Sequence, residues 1–155
     1  MLRTGRVAVE CRSAATADEL AAHYAVRHAV FVTDQRVFAE SDRDPHDDNP
    51  HTVHVVGMVG DVVGGTVRLF PLDGEPGLWQ GDRLAVLHEY RLHGLGGPLV
   101  RYAVHTAAAL GGRRMVAYIQ LPNVTFFERL GWHRDKDVEI YAGVPHQPMA
   151  IDLQP

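Results

Sequence analysis

The residues with the clearest chemistry are the glycines of the hexapeptide Arg91-Leu-His-Gly94-Leu-Gly96. A short apolar segment, Arg83–Leu87, precedes them, and a predicted helix, 94–110, follows. Backbone N–H groups at a helix N-terminus bind phosphate, aided by the helix dipole, and glycine lets the backbone approach the anion closely. The sequence therefore predicts a phosphate-binding turn between a strand and a helix.

Two common phosphate-binding motifs do not account for these glycines. The Walker loop needs a G-K-S/T triplet, and the sequence contains none. The dinucleotide-binding fingerprint needs a third glycine three residues after the second, where Leu99 stands here. The pattern that remains is R-x-x-G-x-G, which by itself is also typical of a plain tight turn.

Three separated segments resemble motifs of the GCN5-related N-acetyltransferase (GNAT) superfamily, in the family's order. Leu84–Gly97 resembles the acyl-coenzyme A loop, in which an L/I-A-V strand leads to R/Q-x-x-G-x-G/A. Asn123–Trp132 is similar to the N…x-Y-E-x-L-G-F segment. Tyr24–Gln35 resembles the first-helix motif Y-x-L-R-x-x-V-F-V-x-x-Q of one branch. Together the three motifs are far more specific than any one of them.

The resemblance implies acetyl-CoA (coenzyme A) as the cofactor and assigns the residues that would hold it. Leu84, Ala85 and Val86 would bind the pantetheine arm through backbone groups, and Arg91 would begin the pyrophosphate-binding motif. The residues that would cradle the pyrophosphate are Leu92, His93, Gly94, Leu95, Gly96 and Gly97.

The sequence departs from the family pattern in its downstream segment. The family's tyrosine, which often protonates the leaving thiolate, falls on Phe127, and phenylalanine donates no proton. The family's asparagine stands seven residues before that tyrosine, which is Gln120 here, whereas Asn123 is four before it. Gln120, Asn123 and Phe127 are all assigned to the cofactor site, and the sequence does not decide between the two amides.

Acetyl transfer to an amine also needs a base, because an alkylammonium with a pKa of about 10.4 must first lose a proton. His88 and Glu89, just past the reacting strand, are the candidate bases that we assign. Other histidines and carboxylates that could serve are Glu40, His51 and His54.

The leaving thiolate and the developing oxyanion need further groups. A thiol of pKa about 8.5 leaves tolerably without an acid, and Tyr118 or Tyr141 could replace the missing tyrosine. Backbone amides near Val86 and Leu87 are the expected oxyanion donors. Cys11 is not expected to act as a nucleophile, because the resembled family transfers the acyl group directly.

The resemblance implies an acetyl-CoA-dependent N-acetyltransferase that acts directly on the primary amine of a small molecule. Two alternatives stay open: a protein or peptide N-acetyltransferase, and a non-catalytic coenzyme A-binding regulatory module, which Phe127 keeps in view. Dimerisation is common in the resembled family, so a homodimer is a further hypothesis, although the sequence contains no visible interface.

An acidic segment, 40–51, carries five acids and one base. It is interpreted as a solvated surface loop, an acceptor-binding loop for an amine, or a metal site. Its spacing matches neither an EF-hand nor H-E-x-x-H, and we predict no metal.

The elements that must position these groups alternate between strands and helices. The predicted order is strand, helices, three strands, helix, strand, helix and two strands. A capping box at Thr16–Glu19 marks the start of the first predicted helix. This order predicts an α/β (α+β) fold whose mixed, mostly antiparallel sheet is flanked by helices, in a single domain, 1–155. Predicted strands are 7–12, 53–59, 62–69, 83–87, 115–119, 132–141 and 149–153, with helices at 16–31, 33–38, 94–110 and 123–130 and a loop at 71–81.

Composition excludes several classes of protein. The 155 residues carry a net charge of −4, which argues against non-specific nucleic-acid binding. No stretch approaches the ~20 apolar residues of a membrane span. The lone cysteine, Cys11, allows no intramolecular disulfide and fits a reducing, cytoplasmic location.

Overall fold

The computed structural model describes residues 8–154 of the chain. Its strands form one eight-stranded sheet in the order β1-β2-β3-β4-β5-β8-β6, with β7 also pairing β8. All strand pairs are antiparallel except β4 with β5. The strands are β1 (Val9–Ser13), β2 (Val53–Val59), β3 (Val62–Pro71), β4 (Leu78–Val86), β5 (Arg114–Gln120), β6 (His133–Arg134), β7 (Glu139–Tyr141) and β8 (Val144–Asp152).

Three α-helices cover the two faces of this sheet. The helices are α1 (Ala17–Arg27), α2 (Gly96–Ala109) and α3 (Val124–Arg129). The predicted cap of α1 is present: the Thr16 hydroxyl accepts from the Glu19 amide at 3.1 Å, and Glu19 accepts from the Ala15 amide at 3.0 Å. A π-helical segment, His28–Asp34, continues α1 directly. None of the described helices is long and apolar enough to cross a membrane.

The sheet opens between its two parallel strands. β4 and β5 pair only where Leu78–Gln80 meets Arg114–Val116. Beyond that point β4 stays with β3 and β5 stays with β8, so a gap separates them. β4 is irregular beside this gap: its register with β3 shifts between Thr66 and Arg68, and Arg83 adopts the left-handed conformation (φ 53°) that glycine normally occupies.

The buried side chains form one cluster on each face of the sheet. The larger cluster packs α2 and α3 against the sheet and includes Leu95, Leu99, Ala103, Met115 and Trp132. The smaller cluster joins α1 and the π-helical segment to β4 through Val26, Val30, Phe31 and Ala85. We call these two sides the α2 face and the α1 face.

Several predicted element bounds were wrong. β4 starts at Leu78 rather than at Arg83, which shortens the predicted loop 71–81; β8 starts at Val144 rather than at Met149. β8 contains Pro145 and Pro148, which are uncommon inside a strand, and it is held by β5 and β7. The predicted strand 132–141 is two short strands, and the predicted helix 33–38 is replaced by the earlier π-helical segment. The first predicted strand, 7–12, begins outside the described residues.

Candidate active site

A cavity of about 120 Å³ lies at the gap between β4 and β5 and is lined from both faces of the sheet. Its α1-face lining is mixed: Phe31, Gln35, Val37, Phe38, Asp82, Arg83, Tyr118, Gln120, Tyr141 and His146. Its α2-face lining is apolar apart from Asn123: Val67, Gly81, Leu84, Val100, Ala103, Met115, Ala117, Ile119, Asn123, Phe127 and Trp132. A ligand in this cavity would thus contact polar groups on one side and hydrocarbon on the other.

The predicted phosphate-binding turn stands at the N-terminus of α2. Gly94 takes the left-handed conformation (φ 71°), and α2 begins at Gly96 with no side chain capping its amides. A Cβ at Gly96 would lie 3.2 Å from the Phe126 ring, so a side chain there would crowd the turn. Free amides at a helix N-terminus attract anions, and this turn fits a pyrophosphate on that basis.

The residues before the helix are exposed, as an anion site requires. Arg91, Leu92, His93 and Gly94 all face solvent, whereas Leu95 is buried in the α2-face cluster and anchors the turn. A residue missed in the sequence, Arg101, places its guanidinium over Gly97, with Nη1 3.2 Å from the position that a Cβ there would take. Residues four apart lie on the same face of a helix, so the sequence could have placed Arg101 beside Gly97.

The β4 residues assigned to the pantetheine lie along the edge of the gap. Leu84 lines the cavity, and Ala85 packs on the α1 face. Leu87 is wrong as an oxyanion donor, because its amide already donates to Gly64 O at 2.8 Å. Successive amides of a strand point to opposite edges, so the Val86 amide faces away from β3, towards the gap.

The downstream candidates are brought to the same cavity. Gln120, Asn123 and Phe127 all line it. Gln120 donates to Gln35 Oε1 at 3.1 Å, so its amide is already engaged. Phe127 is buried and packs edge-on to Trp132, with ring centroids 5.4 Å apart.

The catalytic candidates separate into two groups. His88 and Glu89 lie on an exposed 3₁₀ turn and do not line the cavity. Tyr118 and Tyr141 do line it, with their rings stacked at 6.0 Å. Tyr141 Oη accepts from Arg83 Nη1 at 3.2 Å, which leaves its own O–H free to donate.

His146, which no sequence pattern singled out, is buried and lines the same cavity. Its Nδ1 lies 2.7 Å from Val144 O, so the neutral ring carries its proton on Nδ1 and leaves Nε2 as an acceptor. No hydrogen bond to Nε2 forms within residues 8–154. Together, Tyr118, Tyr141 and His146 make up what we call the open cluster.

The acidic segment is not the solvated loop considered from the sequence. Three of its acids turn inward onto three arginines that are almost wholly buried. We call this the charge cluster: Arg27, Arg68, Arg83, Asp42, Asp44, Asp47 and Asp82. Glu40 and His51 stay exposed, and His54 bonds Asp47 at 3.0 Å.

Protonation in and beside the charge cluster follows from burial and pairing. Burial alone would raise the pKa of Asp47, but hydrogen bonds from His54 and Arg27 outweigh it and hold that pKa well below its usual range. Burial lowers the pKa of His23 to about 3. Neutral His23 donates from Nδ1 to Val55 O at 2.9 Å and accepts from Arg27 at Nε2. Asp44 and Asp47 are thus ionised and paired with arginines, not free to hold a cationic ligand.

Comparison with known proteins decides the family. The model of the acetyltransferase (GNAT) family matches residues 17–132. This chain belongs to that family. The family resemblance and the mixed α+β fold predicted from the sequence are therefore confirmed.

Individual relatives agree with the GNAT assignment. The chain is 29% identical over 136 residues to the uncharacterized N-acetyltransferase YjcF of Bacillus subtilis (strain 168), covering 87% of this chain and 94% of YjcF. A candidate N-acetyltransferase from Lactobacillus plantarum is 26% identical with a TM-score of 0.83, covering 95% and 99% of the two chains. An acyl-CoA N-acyltransferase from Pseudomonas aeruginosa shares the fold at 23% identity and a TM-score of 0.78, covering 92% and 97%.

Proposed function

We propose that this GNAT protein transfers an acyl group, acetyl in the simplest case, from a coenzyme A thioester directly to the primary amine of a small molecule. One observation carries the proposal: a single cavity adjoins the free edge of β4 and contains the open cluster. The reacting carbonyl, a base and an acid would meet there.

The coenzyme would be held mostly by backbone groups. The uncapped amides at the start of α2 favour the pyrophosphate, and Arg101 adds a positive charge over Gly97. The free edge of β4 offers strand hydrogen bonds to the pantetheine amides. Asn123 is favoured over Gln120 as the side-chain ligand, because Gln120 is already bonded to Gln35.

His146 is the base in this proposal, in place of His88 and Glu89. Its Nε2 takes a proton from the ammonium, and the amine nitrogen then attacks the thioester carbonyl. The Val86 amide would stabilise the oxyanion of the tetrahedral intermediate. As the C–S bond breaks, Tyr118 or Tyr141 would give its proton to the sulfur, and the phenolate left behind would take the second proton from the attacking nitrogen. His146 would return its own proton to solvent. No covalent enzyme intermediate is needed. Cys11 suits that role poorly, because it lies on β1 and burial raises the pKa of its thiol.

Thiol release measures this function directly. Acetyl-CoA is incubated with the protein and a panel of small primary amines and lysine-containing peptides, and free coenzyme A is titrated. Turnover with small amines is the expected result. Turnover with peptides alone would favour the peptide acetyltransferase, and tight acetyl-CoA binding without turnover on either panel would favour the regulatory module. Absence of coenzyme binding would overturn the proposal altogether.

A further inference from the structure

The cavity continues beyond the place where the proposed reaction would occur. On the α2 face it extends along β4 from Leu84 to Gly81, at the vertex where β4 and β5 begin to pair. Three strand residues span roughly 10 Å. The methyl carbon of an acetyl group lies only about 1.5 Å beyond its carbonyl carbon. An acetyl donor would therefore leave most of this extension unfilled.

The lining of the extension is suited to hydrocarbon. It consists of Val67, Gly81, Val100, Ala103, Met115 and Trp132. The side chains among these are at most 4% exposed, and none carries a charge. Protein interiors are normally close-packed, and an engineered apolar cavity of about 150 Å³ binds benzene. The whole cavity, at about 120 Å³, is somewhat smaller than one that takes six carbons, so the extension has room for a short hydrocarbon chain only.

A second observation also points to a ligand. Trp132 lines the cavity, and its indole Nε1 is the only fully buried side-chain nitrogen or oxygen without a hydrogen-bond partner among residues 8–154. Buried donors are almost always paired, and a missing partner calls for an explanation. Because this nitrogen is itself fully buried, an oxygen of a bound thioester or of its pantetheine arm would reach it once the indole shifts towards the cavity.

We infer that the α2-face extension is an acyl-chain pocket and that the donors include coenzyme A thioesters of about four to six carbons as well as acetyl-CoA. This inference rests on the proposed function, which places the thioester beside Leu84. The narrow vertex at Gln80 and Val116 closes the pocket and sets its length limit.

The test is a calorimetric titration of the full chain, without acceptor, using coenzyme A and its acetyl, butyryl, hexanoyl, octanoyl and dodecanoyl thioesters. Each buried methylene is expected to strengthen binding about fourfold until the pocket is full, after which affinity levels off or falls. Equal or weaker binding of every longer donor relative to acetyl-CoA would overturn the pocket and leave the proposed function standing. Failure of all six ligands to bind would refute the proposed function itself.

Variants locate the pocket. Ala103→Leu projects a larger side chain into it and is expected to abolish most of the hexanoyl-to-acetyl affinity ratio. Ala109→Leu, exposed on the same helix, is the control and should leave that ratio unchanged. If Ala103→Leu does not fold, Gly81→Ala is the second variant, because its Cβ would meet Met115 Sδ at an ordinary 3.4 Å. An unchanged ratio in a folded pocket variant would show that the chain binds elsewhere.

Discussion

The charge cluster and the open cluster lie side by side on the α1 face, joined by the hydrogen bond from Arg83 to Tyr141. In the charge cluster each guanidinium meets at least two carboxylates, and its arginines are almost wholly buried. In the open cluster, by contrast, His146 Nε2 has no hydrogen-bond partner within residues 8–154. The fully paired groups of the charge cluster act as a structural framework. Catalysis, by contrast, needs groups that can still accept or donate a proton.

Arg83 shows how the framework supports the site. Its left-handed backbone costs about 1–3 kcal/mol for a non-glycine residue. The side chain offsets that strain through Asp42, bonding both its carboxylate at 3.0 Å and its backbone oxygen at 2.8 Å. The acidic segment therefore holds the irregular stretch of β4 beside the gap, and none of residues 40–51 lines the cavity.

The sharpest way to break the framework is Arg27→Met. The change keeps the side chain's bulk but leaves Asp42 and Asp47 buried beside fewer positive charges, which should lower the free energy of unfolding by about 3–5 kcal/mol. Urea denaturation followed by circular dichroism measures it. Arg43→Met is the control, because exposed Arg43 only covers the Tyr24 ring and should cost about 1 kcal/mol or less. Equal losses for both variants would contradict the distinction.

The complementary change in the open cluster is His146→Gln. It removes the proposed base while preserving a side chain that can still bond Val144 O, so kcat should fall about 100-fold or more with little loss of stability. Steady-state thiol release with an accepted amine gives kcat, and an unfolding curve checks the fold. His105→Gln, exposed on α2, should match the parent protein. Loss of stability with unchanged kcat would make His146 a structural residue.

Acid should weaken the framework through His23. Its pKa of about 3 in the folded protein lies below the ordinary value of 6.5, so between those values the unfolded chain binds a proton that the folded protein does not. Stability is then fully present above about pH 6.5 and falls by up to about 1.4 kcal/mol per pH unit as the pH drops towards 3. Denaturation at pH 7, 6 and 5 measures the slope.

Two comparisons sharpen this pH test. His23→Gln should flatten the slope between pH 6.5 and 5, and an undiminished slope would assign it to other groups. Asp44 and Asp47, whose pKa values are lowered, add their loss only below about pH 4, because their ionised forms are stabilised above that range. The loss of stability due to His23 and the loss due to the two carboxylates therefore occur in different pH ranges.

The sequence predicted what local patterns determine. Residues within a few positions of one another determine the cap at Thr16, the turn at Gly94, and the helices α1 and α2 that follow them. It could not predict the pairing of Arg68 with Asp44, which is 24 residues away, or the positive φ of Arg83. His146 was missed for a related reason: it stands between two prolines in a segment whose strand exists only because β5 and β7 flank it.

The smallest expected effect concerns the other face of the gap. Trp132→Phe removes the unpaired indole N–H but keeps an aromatic ring against Phe127. If a ligand oxygen accepts a hydrogen bond from that N–H, the dissociation constant of acetyl-CoA should be about two- to tenfold higher for Trp132→Phe than for the parent protein. This is the change expected for the loss of one net hydrogen bond. Trp79→Phe is the matched control, because Trp79 is equally buried but does not line the cavity. An unchanged constant for Trp132→Phe would mean that the N–H faces no ligand atom, and that the α2 face of the gap contributes hydrocarbon contact alone.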